Sequence, residues 1–236
     1  MNTNLVIIPV FNEAATIKEV LYELCQNYGG DILIIDDGST DDSIERIRSC
    51  IQKRPITSIS HTSNLGYGQS LIDGFNYALE RGYQYAVTMD CDWQHQPQHV
   101  PKFFIDVIGV DILSGSRYLR DFPEDTVAPI ERRHVNMSVT EKINSITQYN
   151  LTDSFCGFKA YRVASLEKLT LNERGYGFPI QFWLQAFAHG LTVKEIAVAR
   201  IYTDATRSFG AQLDDSKYRL NYYNQIIERE NKIWNI

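Results

Sequence analysis

Short apolar runs rich in β-branched residues alternate with amphipathic segments through the first half of the chain. Residues 5–10 form one such run, and residues 13–25 then place Ile17, Val20 and Leu24 on one helical face. Short strands that are apolar throughout, separated by helices, are typical of an α/β fold whose parallel sheet is covered on both faces. The pattern predicts strands at 5–10, 31–35, 56–60, 85–89 and 111–114, and helices at 13–25, 41–50, 69–79 and 100–108.

The second half of the chain departs from this regular alternation. Residues 118–130 contain two prolines and several acidic residues and are predicted to form a loop. Val135, Val139, Ile143 and Ile146 then recur at helical spacing. Further on, the pattern predicts strands at 155–161 and 192–198 and helices at 180–189 and 217–230.

Composition and charge narrow the class of protein. A chain of 236 residues with 44% hydrophobic and 22% charged residues can bury one large core without disulfides or metals, so we expect a single domain over residues 1–236. The net charge of −6 argues against binding to nucleic-acid phosphates. The sequence shows neither an apolar stretch of the ~20 residues that a membrane span needs nor a signal peptide, and its cysteines lack metal-ligand spacing. A cytoplasmic protein with reduced thiols is therefore expected.

Polar residues cluster where the predicted first, second and fourth strands end. Because right-handed crossovers bring the carboxyl ends of parallel strands to one edge of a sheet, these residues are expected to lie together. Asn12 and Glu13 follow the first strand. A role in the site and a structural role are equally open for them; in the structural role, Asn12 would cap the next helix and Glu13 would lie in its first turn. Asp36 and Asp37 follow the second strand, where adjacent carboxylates can accept hydrogen bonds from a ribose or a base. The competing interpretation of this pair is a turn followed by a helix cap.

The third cluster, Asp90-Cys91-Asp92-Trp93-Gln94, carries two carboxylates two residues apart. In a strand such residues point to the same side, and their charges would repel unless a cation lay between them. Carboxylate oxygens, with the Gln94 amide oxygen, suit Mg²⁺ or Mn²⁺, and a diphosphate could supply the remaining ligands. The Asp-x-Asp pattern is common by chance, but its position at the end of a buried strand strengthens the metal hypothesis.

A loop with two glycines, residues 64–70, precedes the predicted helix at 69–79. It allows a ligand to approach the backbone closely, beside the N–H groups that open the helix. The loop is neither a P-loop nor a G-x-G-x-x-G dinucleotide motif, which disfavours a nicotinamide-dependent enzyme. A G-x-S-x-G motif is also absent from the sequence, which disfavours an α/β-hydrolase.

Taken together, these segments resemble the inverting family 2 glycosyltransferases, and among them the dolichol- and polyprenyl-phosphate sugar synthases. The resemblance implies a GT-A fold, which is a Rossmann-like, mostly parallel mixed sheet with helices on both faces. It also implies a nucleotide-sugar-binding half at 1–116, an acceptor half at 117–210 and a C-terminal helix within 211–236. The segments that carry the resemblance occur in the family's order at 8–13, 35–41, 64–68, 90–95, 115–118 and 153–159.

The family's functional residues are carried over by position. The resemblance implies that Arg117 lies beside the donor or acceptor phosphate and that Arg132 or Arg133 lies near the acceptor, where a guanidinium can bind phosphate with two hydrogen bonds. For Arg132 and Arg133, a solvated start of a helix is the alternative. The implied catalytic residues are Asp92, Arg117 and Asp153. The implied ligands of a Mg²⁺ or Mn²⁺ ion are Asp90, Asp92 and Gln94. The implied donor-site residues are Pro9, Phe11, Glu13, Ile35 (against the base), Asp37, Asp90, Cys91, Arg117, Arg133 and Arg207.

The resemblance further implies transfer of a sugar from a UDP- or GDP-sugar with inversion at the anomeric carbon. An alcohol acceptor would need a carboxylate base, and relatives that use alcohols often carry an acid near the position of Gln181, whereas a phosphate oxygen is already anionic. We therefore expect a polyprenyl- or dolichyl-type lipid phosphate, met at the membrane surface; an alcohol acceptor, with Asp153 as its base, is the alternative. The basic segment that follows the last strand in the synthases is replaced by residues 200–210, where Arg200, Arg207 and Ser208 are the candidates.

Two other classes of protein compete with a sugar transferase. A sugar-phosphate nucleotidyltransferase normally opens with a glycine-rich segment followed by basic residues, and residues 10–18 contain neither glycine nor arginine. A scaffold that binds a nucleotide sugar without turnover would have little reason to keep both Asp90 and Asp92. The sequence leaves the oligomeric state open.

Overall fold

Seven strands form one sheet in the computed structural model, which describes residues 3–51, 56–203 and 208–236. The strands are β1 Asn4–Val10, β2 Asp31–Asp36, β3 Ile56–Ser60, β4 Tyr85–Thr88, β5 Ile112–Ser116, β6 Lys159–Arg162 and β7 Val193–Ala197. Their order across the sheet is β3-β2-β1-β4-β6-β5-β7. All are mutually parallel except β6, which is antiparallel to both its neighbours. The predicted α/β fold with a mostly parallel mixed sheet is confirmed.

Helices cover both faces of this sheet. Alternate residues of a strand point to opposite faces, so Leu5 and Ile7 of β1 join one core cluster while Val6 and Ile8 join the other. The helices are α1 Ile17–Asn27, α2 Ser43–Ile51, α3 Tyr67–Glu80, α4 Val100–Asp106, α5 Ile130–Thr147, α6 Val163–Leu166, α7 Phe178–Ala188 and α8 Ser216–Trp234. The first cluster packs beneath α3, α5, α7 and α8 and the second beneath α1, α2 and α4, which explains why the strands are apolar throughout.

Strand β6 begins later than the sequence predicts. The expected strand at 155–161 is wrong in its first four residues, because residues 153–158 form a loop and the pairing with β4 starts where Lys159 lies opposite Thr88. Since β6 runs against its neighbours, the loop that precedes it lies at the edge where the parallel strands end. The antiparallel strand therefore adds a loop to that edge.

Helix α1 also begins later than predicted. Asn12 has a φ of 56°, a left-handed conformation, and its Oδ1 accepts a hydrogen bond from Thr40 N at 2.8 Å. Glu13 N donates to Ser43 Oγ at 2.8 Å. Of the two interpretations of these residues, the one in which Asn12 caps α1 and Glu13 lies in its first turn is therefore wrong, because the helix begins at Ile17 with Thr16 as its N-cap. Residues 12–16 instead form a turn that connects the end of β1 to the segment after β2.

Helix α8 packs against α5 and α7 with both apolar and polar contacts. Tyr223 and Ile226 are buried on its inner face, and so is Glu230. The Glu230 carboxylate accepts hydrogen bonds from Gln181 Nε2 at 2.8 Å and Gln185 Nε2 at 3.0 Å, which fixes α8 to α7. Within the described ranges, no helix combines the length and apolar character that crossing a membrane would require.

Candidate active site

A cleft of about 780 Å³ opens along the edge of the sheet where the parallel strands end. The segments that follow β1, β2 and β4 contribute one part of its lining. The end of β5, the first turns of α5 and α8, and the loop before β6 contribute another part. The topology thus gathers residues from both halves of the chain around one cavity.

Carboxylates line one side of this cleft. Among the described residues, those that line it are Glu13, Asp37, Asp90 and Asp92, which follow β1, β2 and β4 and are called the acidic side below. Arginines line the part of the cleft that the second half of the chain contributes. Arg117 follows β5, Arg132 lies in α5 and Arg219 lies in α8, and these three are called the arginine side.

Asp90 and Asp92 lie beyond the end of β4 at Thr88, in an irregular segment. The expectation that a strand aligns their side chains is therefore wrong, although both residues line the cleft. Gln94 binds Asp92 twice, because its backbone N–H donates to Oδ1 at 3.1 Å and its Nε2 donates to Oδ2 at 2.8 Å. The amide and the carboxylate of these two residues are thus held side by side.

His95 forms a hydrogen bond with the backbone of this segment. Its Nδ1 accepts a hydrogen bond from Asp90 N at 2.8 Å, and its ring stacks on Phe158 with centroids 5.1 Å apart. Burial lowers the pKa of His95 to about 3, so the ring is neutral near pH 7. The 3.6 Å approach of His95 Nδ1 to Asp90 Oδ2 is therefore not an ion pair. His95 shapes the segment without neutralising its charge.

Asp37, another residue of the acidic side, is held by three hydrogen-bond donors. Its Oδ1 accepts from His61 Nδ1 at 2.7 Å and from Leu65 N at 2.8 Å, and its Oδ2 accepts from Gly66 N at 2.9 Å. Gly66 has a φ of +107°, and a Cβ there would lie 2.4 Å from Arg174 O, so only glycine fits this backbone. The neighbouring Asp36 is buried and does not line the cleft.

Arg117 and Asp153 form a buried ion pair with two hydrogen bonds. Arg117 Nε lies 2.6 Å from Asp153 Oδ2, and its second guanidinium nitrogen lies 3.0 Å from Oδ1. Asn136 Nδ2 and Phe155 N also donate to Oδ1, at 2.8 and 3.2 Å. Burial alone would raise the pKa of Asp153, but the Arg117 guanidinium and these hydrogen bonds hold it at about 2. Asp153 is completely buried, whereas Arg117 lines the cleft.

Arg132 and Arg219 both contact the ring of Phe209, which also lines the cleft. Their guanidinium carbons lie 4.9 and 4.5 Å from the centroid of Phe209, within the range of cation–π contacts. Arg219 is 97% buried, since only 3% of its surface is exposed, and it donates to Leu213 O at 2.6 Å. A strongly buried guanidinium in a cleft wall is well suited to binding an anion.

The other sequence-predicted residues divide into three groups. Pro9, Phe11, Glu13 and Cys91 line the cleft with the acidic side. Ile35 and Arg133 do not, because Ile35 is buried in the core and the Arg133 guanidinium stacks on Tyr118, 3.6 Å from the centroid of its ring.

Arg207 lies outside the described residues, and Arg200 pairs with Asp125 instead of lining the cleft. Gln181 is buried under α8, and Pro179 lines the cleft in its place.

Sequence reasoning missed Arg219, Tyr223 and Asn136, all of which line the cleft. A signal for the first two was present. Arg219 lies four residues before Tyr223 and seven before Ile226, so these three residues share one face of the predicted C-terminal helix. Because a charged side chain is rarely buried, an arginine on the same face as two apolar residues signals a special environment, which in this fold is the cleft wall.

Comparison with known proteins agrees with this geometry. Residues 5–170 match the family described as Glycosyl transferase family 2, and the chain belongs to that family. It is 29% identical over 201 residues to an undecaprenyl-phosphate mannosyltransferase of Micrococcus luteus, covering 82% of each chain. It is 31% identical over 206 residues to a polyprenol monophosphomannose synthase of Mycolicibacterium smegmatis, covering 82% of this chain and 76% of that one. The protein is therefore a glycosyltransferase, as its sequence indicates.

A solved structure shares the fold. Glucosyl-3-phosphoglycerate synthase of Mycobacterium tuberculosis, in complex with Mn²⁺, UDP and glucosyl-3-phosphoglycerate, superposes with a TM-score of 0.73 over 97% of this chain and 80% of that one. The identity is 18%, so this likeness concerns the GT-A fold alone.

Proposed function

We propose that this glycosyltransferase moves a sugar from a nucleoside-diphosphate sugar to the phosphate of a polyprenyl-type lipid. The observation that carries the proposal is the division of the cleft into an acidic side and an arginine side. A donor diphosphate bound through a divalent cation suits the first, and an anionic acceptor suits the second. The two relatives named above act on polyprenyl-type substrates by their names, which supports the same assignment.

The acidic side fits a divalent cation by the chemistry of its donors. Asp90, Asp92 and the Gln94 amide offer hard oxygen ligands, and Mg²⁺ or Mn²⁺ takes one or two carboxylates when substrate phosphates supply the rest. The described residues contain no group of three His, Cys, Asp or Glu side chains that could hold a metal ion, so the proposed cation would need ligands from the donor. When bound, the cation would neutralise charge on the departing diphosphate. Pro9, Phe11, Glu13 and Asp37 would bind the nucleoside.

The arginine side supports an anionic acceptor. The acceptor oxygen attacks the anomeric carbon, the bond from that carbon to the donor phosphate oxygen breaks, and the nucleoside diphosphate leaves with the electron pair. An alcohol would have to lose a proton to a base in this step, whereas a phosphate oxygen would not. All described carboxylates in the cleft belong to the acidic side. A phosphate held by Arg117, Arg132 and Arg219 therefore fits the cleft best.

Asp153 is a positioning residue in this proposal and not a base. Five hydrogen bonds occupy its two oxygens, and its pKa of about 2 makes it a poor proton acceptor. Its negative charge instead fixes the Arg117 guanidinium at the cleft wall. Arg117 in turn is the candidate to contact a phosphate.

Turnover with matched acceptors tests the proposal. The enzyme would be incubated with UDP- and GDP-sugars, Mn²⁺ and either undecaprenyl phosphate or undecaprenol, and products would be identified by mass spectrometry. We expect a glycosylated lipid phosphate and a free nucleoside diphosphate. Arg132→Gln should raise KM for the lipid phosphate, whereas Arg48→Gln on the exposed side of α2 should not. Equal turnover of undecaprenol would contradict the phosphate assignment.

Thermal unfolding tests the metal site separately. A nucleotide at ~100 times its Kd should add about 2.7 kcal/mol of stability, which raises Tm by several degrees. The increase should require Mn²⁺ or Mg²⁺ and should vanish with chelator or in Asp92→Ala. Asp106→Ala, in α4 and outside the cleft lining, is the control. Stabilisation that is indifferent to chelator would remove the metal from the proposal.

A further inference from the structure

A histidine held between two aspartates adjoins the proposed nucleoside site. His61 Nδ1 lies 2.7 Å from Asp37 Oδ1, and His61 Nε2 lies 3.0 Å from Asp73 Oδ2. Ionised carboxylate oxygens only accept hydrogen bonds, so His61 Nδ1 is the donor in its contact with Asp37. Gln69 Nε2 holds the other Asp73 oxygen at 3.0 Å, and only 9% of the His61 side chain is exposed. Packing and polar contacts thus fix His61 against Asp37.

The contacts of Asp37 leave a single position for a ligand. A carboxylate has about four acceptor positions, two on each oxygen. His61 and Leu65 N fill both positions on Oδ1, and Gly66 N fills one on Oδ2. Because Asp37 lines the cleft, the remaining position on Oδ2 is the one that a bound base can use.

Nucleobases differ in how many donors they present to such a carboxylate. Uracil and thymine, the pyrimidine-2,4-diones, present one N3–H between two carbonyl groups. Guanine presents N1–H and the exocyclic amino group side by side, a pair that matches both oxygens of one carboxylate. A guanine at Asp37 would leave one donor without its partner, which lowers affinity on the order of tenfold to a hundredfold.

We propose that His61 makes Asp37 a single-acceptor site and thereby selects a pyrimidine-2,4-dione nucleotide over a guanine nucleotide. The inference rests on the proposed function, since it concerns the base of the donor. His61 is a positioning residue here, because it acts through Asp37 and does not itself line the cleft. Phe11 lines the same side of the cleft and offers a ring on which the base can stack.

Calorimetric titration of the full chain with UDP, dTDP and GDP in the presence of Mn²⁺ tests the selection. We expect UDP or dTDP to bind at least tenfold more tightly than GDP, and either of them doing so supports the inference. GDP binding as tightly as both would overturn the inference and leave the proposed function standing. Binding of none of the three would overturn the proposed function and the inference with it.

Variants of His61 test its part in the selection. His61→Leu frees Oδ1, so the ratio of the GDP Kd to the UDP Kd should fall at least threefold, whereas a merely structural loss would weaken both nucleotides alike. His61→Asn keeps an N–H near the position of Nδ1 and should keep the ratio. His134→Leu, at an exposed position of α5, is the control. If His61→Leu does not fold, His61→Phe retains a ring without donors and takes its place. An unchanged ratio in the folded Leu or Phe variant would overturn the role of His61.

Discussion

Replacing Asp153 by asparagine removes one charge from a completely buried ion pair while keeping the shape of the side chain. The Arg117 guanidinium, whose side chain is 12% exposed, would then be buried without its counter-charge. Breaking a buried pair in this way costs about 3 to 5 kcal/mol of unfolding free energy. For a chain of this length, that corresponds to a fall in Tm of roughly 6 to 20 °C. Turnover should fall as well, because Arg117 loses the contact that aims it at the cleft.

The assay compares the thermal and denaturant unfolding of Asp153→Asn with that of Asp106→Asn. Asp106 pairs with Lys102 at 2.6 Å, but the Lys102 side chain is 60% exposed, so its loss should cost less than about 1 kcal/mol. A destabilisation of Asp153→Asn no larger than that of Asp106→Asn would refute the reasoning.

The pH dependence of stability gives an independent check on Asp153. Its pKa is about 2 in the folded state and about 3.9 in an unfolded chain. A depressed pKa stabilises the folded state above the unfolded value, and the stabilisation is lost as pH falls through the folded value. The stability gap between the unsubstituted protein and Asp153→Asn should therefore be constant from about pH 7 to 5 and shrink towards pH 2. A gap that does not change over this range would show that the charge of Asp153 is not what stabilises the fold.

Three further outcomes follow from geometry described above. Gly66→Ala should destabilise the protein by about 1 to 3 kcal/mol and more than Gly82→Ala in thermal unfolding, because both have positive φ but only the first would meet a backbone oxygen, that of Arg174. The His95 ring should stay neutral between about pH 5 and 8 in NMR titration, and a midpoint near pH 6.5 would contradict its burial. Phe209→Leu removes the cation–π contacts with Arg132 and Arg219. It should raise KM for the lipid phosphate about fivefold without changing the affinity for the nucleotide. A change in both quantities would show that Phe209 does not act on the acceptor alone.

The apolar runs were sufficient to predict the sheet, because a strand buried on both faces has a local signature. β1, β2 and β4 lie within one or two residues of their predicted bounds. The direction of β6 has no such signature, since it depends on pairing with strands that are distant along the chain. The late start of α1 has a similar cause, because Glu13 N and Asn12 Oδ1 form hydrogen bonds with Ser43 and Thr40, which are distant along the chain.

The candidate site divides along the same line. Motifs after β1, β2 and β4 pointed to the acidic side, because the ends of parallel strands must meet. The pairing of Arg117 with Asp153 joins residues 36 positions apart, and no spacing in the sequence announces it. Asp37 was expected from its motif, but its bond to His61 was not, because a histidine in a loop has many alternatives. Each missed contact depends on tertiary structure.

The polar contacts of Glu230 have a consequence for Arg219 at the other end of α8. The two residues are eleven positions apart, about three helical turns, and so face the same way. Apolar packing alone tolerates a helix that turns about its own axis, whereas the directional bonds from Gln181 and Gln185 fix its rotational phase. A slip by one residue would swing Arg219 through roughly 100° and out of the cleft. The direction of the Arg219 guanidinium in the cleft is thus set at the opposite end of the helix that carries it.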